Sequence, residues 1–206
     1  MNENNSYDEK YAEKEYYWGK TPSKMCDQLL EIIKPEKNQR PKLLDLGCGE
    51  GKNAVYFARH GCDVTGMDIS LPGLEKTKIY AAEAGVLIAT VQANIINYQL
   101  DAVYDIVFST GTLHYLPPEV REKRFLDYKS HTANNGINAL NVFVKKPFVP
   151  KAPDSEDTAF HYKSGELFSY YWDWEILYCT EEIFDCMSSG IPHKHAVNRL
   201  IARKKA

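Results

Sequence analysis

The sequence predicts an α/β domain, a three-layer sandwich in which helices cover both faces of a mostly parallel sheet. Three observations predict it. Short apolar runs alternate with helical patterns along most of the 206 residues, the order that builds strand–helix–strand units. The first apolar run, KLLDL, passes directly into the turn GCGEG at residues 47–51, a flexible segment behind a stiff strand. The second run, CDVTGMD, ends on a carboxylate, Asp68, where open parallel sheets hold their ligands.

In chain order, TPSKMCDQLLEIIK (residues 21–34) reads as a helix. Met25, Leu29, Ile32 and Ile33 recur at helical spacing, Thr21 or Ser23 can cap it, and Pro35 stops it. KLLDL is a short buried strand. GKNAVYFARHG is a helix with Ala54, Val55 and Ala58 inward and Gly61 as its stop. CDVTGMD is a second strand, and SLPGLEKTKIYAAEAG a second crossover helix closed by Gly85. VLIATVQA and YDIVFST are the third and fourth strands. Residues 118–130 form a helix, and INALNVFVK is the fifth strand. Residues 145–160 hold Pro147, Pro150 and Pro153 without period. They predict a long surface loop, the kind that often serves as a lid. WEILYC and HAVNRLIARK close the chain as a strand pair. No helix of usual length separates them, so they predict an antiparallel hairpin at the sheet edge.

Composition narrows the function classes. The chain is 44% hydrophobic and 26% charged, with a formal net charge of -3, so no basic field favours nucleic acid. No apolar run approaches the roughly 20 residues that a membrane span needs. The start, MNENNSYDEKYAEKEYYW, is polar and does not read as a signal peptide. Five scattered cysteines, with no CxxC pair, fit a reduced cytoplasmic protein better than a disulfide scaffold. The expected organisation is one domain over residues 1–206, acting as a monomer or homodimer. A helical flap occupies 1–35, a ligand-binding core 42–145, and a substrate-side loop with the terminal hairpin 146–206.

The glycine turn lies beyond the end of the first strand. Gly47, Gly49 and Gly51 tolerate dihedrals closed to other residues, and the following helix presents unpaired N–H groups. Cys48 reads as a small filler. A tight turn without a ligand is the plain alternative. The dinucleotide fingerprint GxGxxG would place its third glycine at Lys52; the bulk of Lys52 argues against NAD. Asp45 adds negative charge near the pocket floor, which suits a cationic or zwitterionic ligand. Asp68 can accept hydrogen bonds from two ribose hydroxyls, and Asn53 and Ile69 belong to the same crevice. The Asn94 amide can donate to and accept from an adenine edge, with Ala93 and Ile95 sandwiching the ring, although asparagine is also an ordinary turn residue. Ser109 and Thr110 follow the fourth strand and face the same space.

LDLGCGEG followed by an acidic strand end resembles the class I S-adenosylmethionine-dependent methyltransferases, over about Lys42 to Lys145. The resemblance implies a Rossmann-like fold with a seven-stranded sheet and an antiparallel C-terminal strand. It implies S-adenosyl-L-methionine as cofactor, its methionine part on the Gly47–Gly51 backbone, its ribose on Asp68 and its adenine on residues 93–95. Many members carry Asp where this chain has Asn94. A narrower likeness, through YYWGKTPS, IINYQL and YYWDWEILYCTEEIF, is to the tellurite-resistance and thiopurine-type small-molecule methyltransferases.

A methyl acceptor approaches in line with the departing sulfur. A soft thiolate, selenide or telluride needs little help from a base; a hydroxyl or amine needs a proton acceptor near it. His114 is the candidate base, with Tyr115 beside it; a structural role in the TLHYL turn is the alternative. Tyr16, Tyr17, Trp18 and Lys20 can close over the cofactor, since aromatic faces attract a sulfonium, or can pack on the core. Tyr170, Tyr171, Trp172 and Trp174 form a second aromatic cluster, for which burial is the simpler account. His193 and His195 share one face of a strand, with Cys186 nearby and Arg199 beyond. Without a second ligand pair the expectation is no metal, and a substrate-polarising role for His193, His195 or Arg199. Two other function classes compete: a cofactor-binding module without turnover, and a nicotinamide oxidoreductase. Protein is a further possible acceptor.

Overall fold

The computed structural model describes residues 6–34, 39–153, 159–187 and 190–205. Its helices are α1 (Ser6–Ala12), α2 (Lys24–Ile33), α3 (Lys52–Arg59), α4 (Leu71–Glu83), α5 (Pro118–Ser130) and α6 (Glu166–Ser169). Its strands are β1 (Lys42–Leu46), β2 (Asp63–Asp68), β3 (Ile88–Gln92), β4 (Tyr104–Ser109), β5 (Thr132–Val144), β6 (Glu175–Cys186) and β7 (His193–Arg203). A 3-10 turn spans Leu113–Tyr115.

The seven strands form one sheet in the order β3-β2-β1-β4-β5-β7-β6. β1 to β5 run parallel; β7 is antiparallel to β5 and β6. Period-two alternation splits neighbouring residues between two cores. Leu43, Ile106 and Phe108 join Leu29, Phe57 and Ile201 on one face. Leu44, Leu46 and Val107 join Phe125, Tyr171 and Leu200 on the other. Both faces are covered, which is why these strands read as continuous apolar runs. The chain winds one way from β1 to β2 and the other way to β4, so a crevice opens beyond the carboxyl ends of these strands.

Most elements fall where the sequence put them. Ser23, not Thr21, caps α2, its Oγ accepting from the Met25 N–H at 3.3 Å. Pro35 lies outside the described residues. On α3 the buried positions are Asn53, Ala54, Val55 and Phe57, while Ala58 is half-buried. The closing hairpin is twice the expected length on its first strand. β6 continues through TEEIFDC, whose alternating charges suit an edge strand that water reaches. The short helix α6 was not foreseen, while α1 falls within the helical segment expected over residues 1–35. Of the 170–174 aromatics, Tyr171 and Trp174 are buried in the core, while Trp172 is 83% exposed.

Candidate active site

A cavity of about 1020 Å³ fills the crevice at the switch point. Its floor is the glycine turn. Gly47 sits at φ 72°, and a Cβ there would lie 2.1 Å from the Thr112 hydroxyl, so only glycine fits. Gly49, at φ 55°, lies under the Tyr11 hydroxyl, 2.9 Å from where a Cβ would stand. The Gly49 N–H donates to Asp68 Oδ2 at 2.8 Å, and the Ser70 N–H to Oδ1 at 2.9 Å. Each carboxylate oxygen keeps a further lone pair for a ligand hydroxyl. Burial raises the Asp68 carboxyl above its usual range, while these N–H donors pull it back.

Of the residues expected to hold the cofactor, Gly47, Cys48, Gly49, Asn53, Asp68, Ile69, Ala93, Asn94, Ile95 and Thr110 all line this cavity. Asn53 ties the site together. Its oxygen accepts from the Ser23 N–H at 2.9 Å, and its amide donates to Thr110 Oγ at 3.0 Å. Asn94 Oδ1 accepts from the Ile96 N–H at 2.9 Å, an Asx turn that shapes the segment leaving β3. Three expected residues stand behind the lining. Asp45 is 1% exposed within β1, and burial pushes its carboxyl up to about 7, against partial relief from Lys52. Ser109 donates to the Leu46 carbonyl at 2.8 Å and links β4 to β1. Gly51 starts α3 and packs on Thr77. Alternation along the strands turns the first two away from the crevice.

The N-terminal segment lies over the turn, through a residue that had no role in the sequence reading. Glu50 is 3% exposed; its two oxygens accept the Tyr17 and Trp18 N–H groups at 3.1 and 3.2 Å. Lys76 reaches the same carboxylate at 2.8 Å. Trp18 lines the cavity with Tyr7 and Tyr11 of α1, and the Trp18 indole donates to the Tyr11 hydroxyl at 3.2 Å. Tyr17 does not line it; its ring is 42% exposed, edge-on to Trp18. Tyr16 packs on Tyr80, with Lys20 over both rings. The Tyr7/Tyr11 pair, four apart on one helix face, was a signal available in the sequence.

The opposite end of the cavity carries imidazoles and aromatic rings: His114, His161 and His195 with Phe143, Phe160 and Phe184. Arg199 lines it as well, paired with Glu182. His193 stands just outside the lining, its Nε2 2.9 Å from His195 Nε2. His114 is 6% exposed, and its Nδ1 has no hydrogen-bond partner among the described residues. Burial, helped by His161 and His195, lowers its pKa to about 3. Tyr115 shares a hydrogen bond with Tyr7 at 3.1 Å. Buried Arg121 staples this turn from behind, donating to the Leu116 carbonyl at 3.0 Å and to Glu166 at 2.6 Å. His161 and Phe143 were missed because nothing in their local sequence distinguishes them from core residues.

A sheet of this order, with a glycine turn and a strand-end carboxylate at one crevice, is the arrangement of a class I S-adenosylmethionine-dependent methyltransferase domain. Comparison with known proteins makes the class specific. The family model "Tellurite resistance protein TehB" matches residues 5–191, and the chain belongs to that family. It is 30% identical over 170 residues to the probable S-adenosyl-L-methionine-dependent methyltransferase TehB of Haemophilus influenzae strain KW20/Rd, covering 80% of this chain and 57% of that protein. For the same-named protein of strain 10810, identity is 29% over 202 residues, covering 95% and 68%. The chain thus spans between about half and two thirds of these relatives. The crystal structure of TehB from Haemophilus influenzae superposes with a TM-score of 0.79 at 26% identity, covering 97% of this chain and 66% of that one. Magnesium protoporphyrin IX methyltransferase from Synechocystis PCC 6803 with bound SAM, at 17% identity and a TM-score of 0.63 over 87% and 78% of the two chains, shares the fold.

Proposed function

We propose that this chain transfers the methyl group of S-adenosylmethionine to a small acceptor bearing a soft nucleophile of the sulfur, selenium or tellurium kind. The cofactor end is the turn, Asp68 and the 93–95 segment, under the Tyr7–Tyr11–Trp18 roof. The acceptor end is the pocket around His114, His161, Phe143 and Phe160. One observation carries the choice of acceptor: among the cavity-lining residues of that end there is no carboxylate, burial lowers the proton affinity of both His114, to a pKa of about 3, and His161, and His195 is engaged with His193. A base so weak has little drive to take a proton from a hydroxyl or ammonium at neutral pH. A thiolate or its heavier analogue arrives already as an anion. Catalysis then comes from positioning the acceptor in line with the sulfonium and from excluding water.

Two measurements test this. S-adenosylmethionine and S-adenosylhomocysteine raise the melting temperature by mass action, and NAD does not. S-adenosylhomocysteine is released with thiol, selenol or tellurite-derived acceptors and not with phenols or amines. Binding without turnover across all of them would leave a cofactor-binding module; turnover of amines or phenols alone would overturn the soft acceptor.

A further inference from the structure

We propose that Cys186, His193 and His195 form a three-ligand site for a zinc-class divalent cation on the β6–β7 hairpin. Register brings them together: Cys186 pairs with His193 across the hairpin, and Phe184 with His195. His193 and His195, two apart on one strand, therefore share the face that carries Cys186. The Cys186 Sγ and one nitrogen from each imidazole lie within 4.8 Å of one another. A tetrahedral zinc ion with bonds of about 2.0–2.3 Å needs its ligands roughly 3.3–3.7 Å apart, so rotamer adjustment suffices. All three side chains are half-buried, open enough for an ion to enter.

A second observation points the same way. His193 Nδ1 sits 2.7 Å from the Ile191 carbonyl. A carbonyl only accepts, so Nδ1 carries a proton, and in the neutral imidazole Nε2 presents its lone pair. That is the outer-sphere arrangement that fixes a metal-binding imidazole. The His193 Nε2 lies 2.9 Å from His195 Nε2, a contact in which His195 donates to the neutral ring. A cation replaces that proton between the two rings, moves the His195 proton to Nδ1, and displaces the thiol proton of Cys186 to solvent. One sulfur and two nitrogens suit zinc.

Three protein ligands leave a fourth position. Cys186 and His195 both line the large cavity at its acceptor end, so that position opens toward the acceptor. On the methyl-transfer reading, the ion would hold the acceptor's soft anion; the metal site itself stands on the hairpin alone.

The test is a Co²⁺ titration of the whole, chelator-stripped chain. One ion per chain should bind, with thiolate-to-cobalt charge-transfer absorption and tetrahedral d–d bands, and Zn²⁺ should displace it. Cys186→Ala should abolish the charge-transfer band. His193→Ala and His195→Ala should each weaken binding by more than the 10–100-fold that loss of a mere outer-sphere partner costs. Cys179→Ser, on the same strand, should keep the full spectrum. X-ray absorption at the zinc edge of the unmutated chain should show one sulfur and two imidazole nitrogens, which guards against variants that misfold. No saturable binding, a band that survives Cys186→Ala, or a shell of oxygen and nitrogen only would overturn the site. A normal cobalt spectrum in a chain that fails to bind S-adenosylmethionine would overturn the methyl-transfer reading and leave the metal site standing.

Discussion

The proposed cofactor site depends most on one side chain, Asp68. It closes β2, holds the Gly49 and Ser70 amides, and still offers lone pairs to a diol. Hydrogen bonds to a charged group are worth about 1.5–3 kcal/mol each. Asp68→Ala should therefore weaken S-adenosylmethionine by at least about tenfold in calorimetric titration and remove most of its thermal shift; unchanged affinity would refute the ribose assignment. His114 makes the opposite prediction. A working general base contributes about 10²–10⁴-fold, and an imidazole held near pKa 3 does not supply it. His114→Gln should keep kcat on a soft acceptor within roughly tenfold of the parent, and the parent's rate profile should show no acid limb near pH 6.5.

α1 and the segment before α2 act as a roof because of Glu50. The turn supplies a carboxylate just where two consecutive backbone amides, those of Tyr17 and Trp18, need acceptors. Lys76 from α4 neutralises it in a largely buried pair. Removing one partner of a buried pair costs about 3–5 kcal/mol. Glu50→Ala should lower stability on that scale and speed tryptic cleavage at Lys14 and Lys20, while Glu50→Gln, which still accepts hydrogen bonds, should be milder. If cleavage is unchanged in Glu50→Ala, the aromatic contacts of Tyr7, Tyr11 and Trp18 hold the roof without the clamp. At the other edge, β6 and β7 form a long hairpin whose distal half carries Cys186, His193 and His195 beside the imidazole-lined end of the cavity. Its charged alternation protects the sheet edge and hides the strand from a search for apolar runs.

Two buried groups give the ligand-free molecule opposing pH dependences. Asp45 rises from 3.8 to about 7 on folding. The folded chain then binds more protons, so this contribution to stability is full below pH 3.8 and is lost as pH climbs through about 7. His114 falls from 6.5 to about 3. Its contribution is full above pH 6.5 and is lost as pH drops toward 3. Asp45→Asn should therefore melt above the parent at pH 8 and lose that advantage near pH 4. His114→Gln should flatten the acid side instead. Melting curves across that range decide both, and an Asp45→Asn melting difference independent of pH would show that burial does not move this carboxyl.

Much of the molecule was written in local pattern. Alternating apolar runs and helices predicted the sheet and its layers; GCGEG followed by Asp68 predicted the glycine-floored end of the crevice, because a turn after a strand and a carboxylate at the next strand's tip depend on short-range spacing. Three-dimensional packing settled the rest. Alternation turned Asp45 and Ser109 behind the crevice, burial set the proton affinity of His114, and the register of a hairpin brought Cys186 to the two histidines. His161 and Phe143 reached the cavity, and Tyr17 and Trp18 reached Glu50, across tens of residues of chain. Such contacts follow from how faces meet, and a linear string carries spacing along the chain but not distance through space.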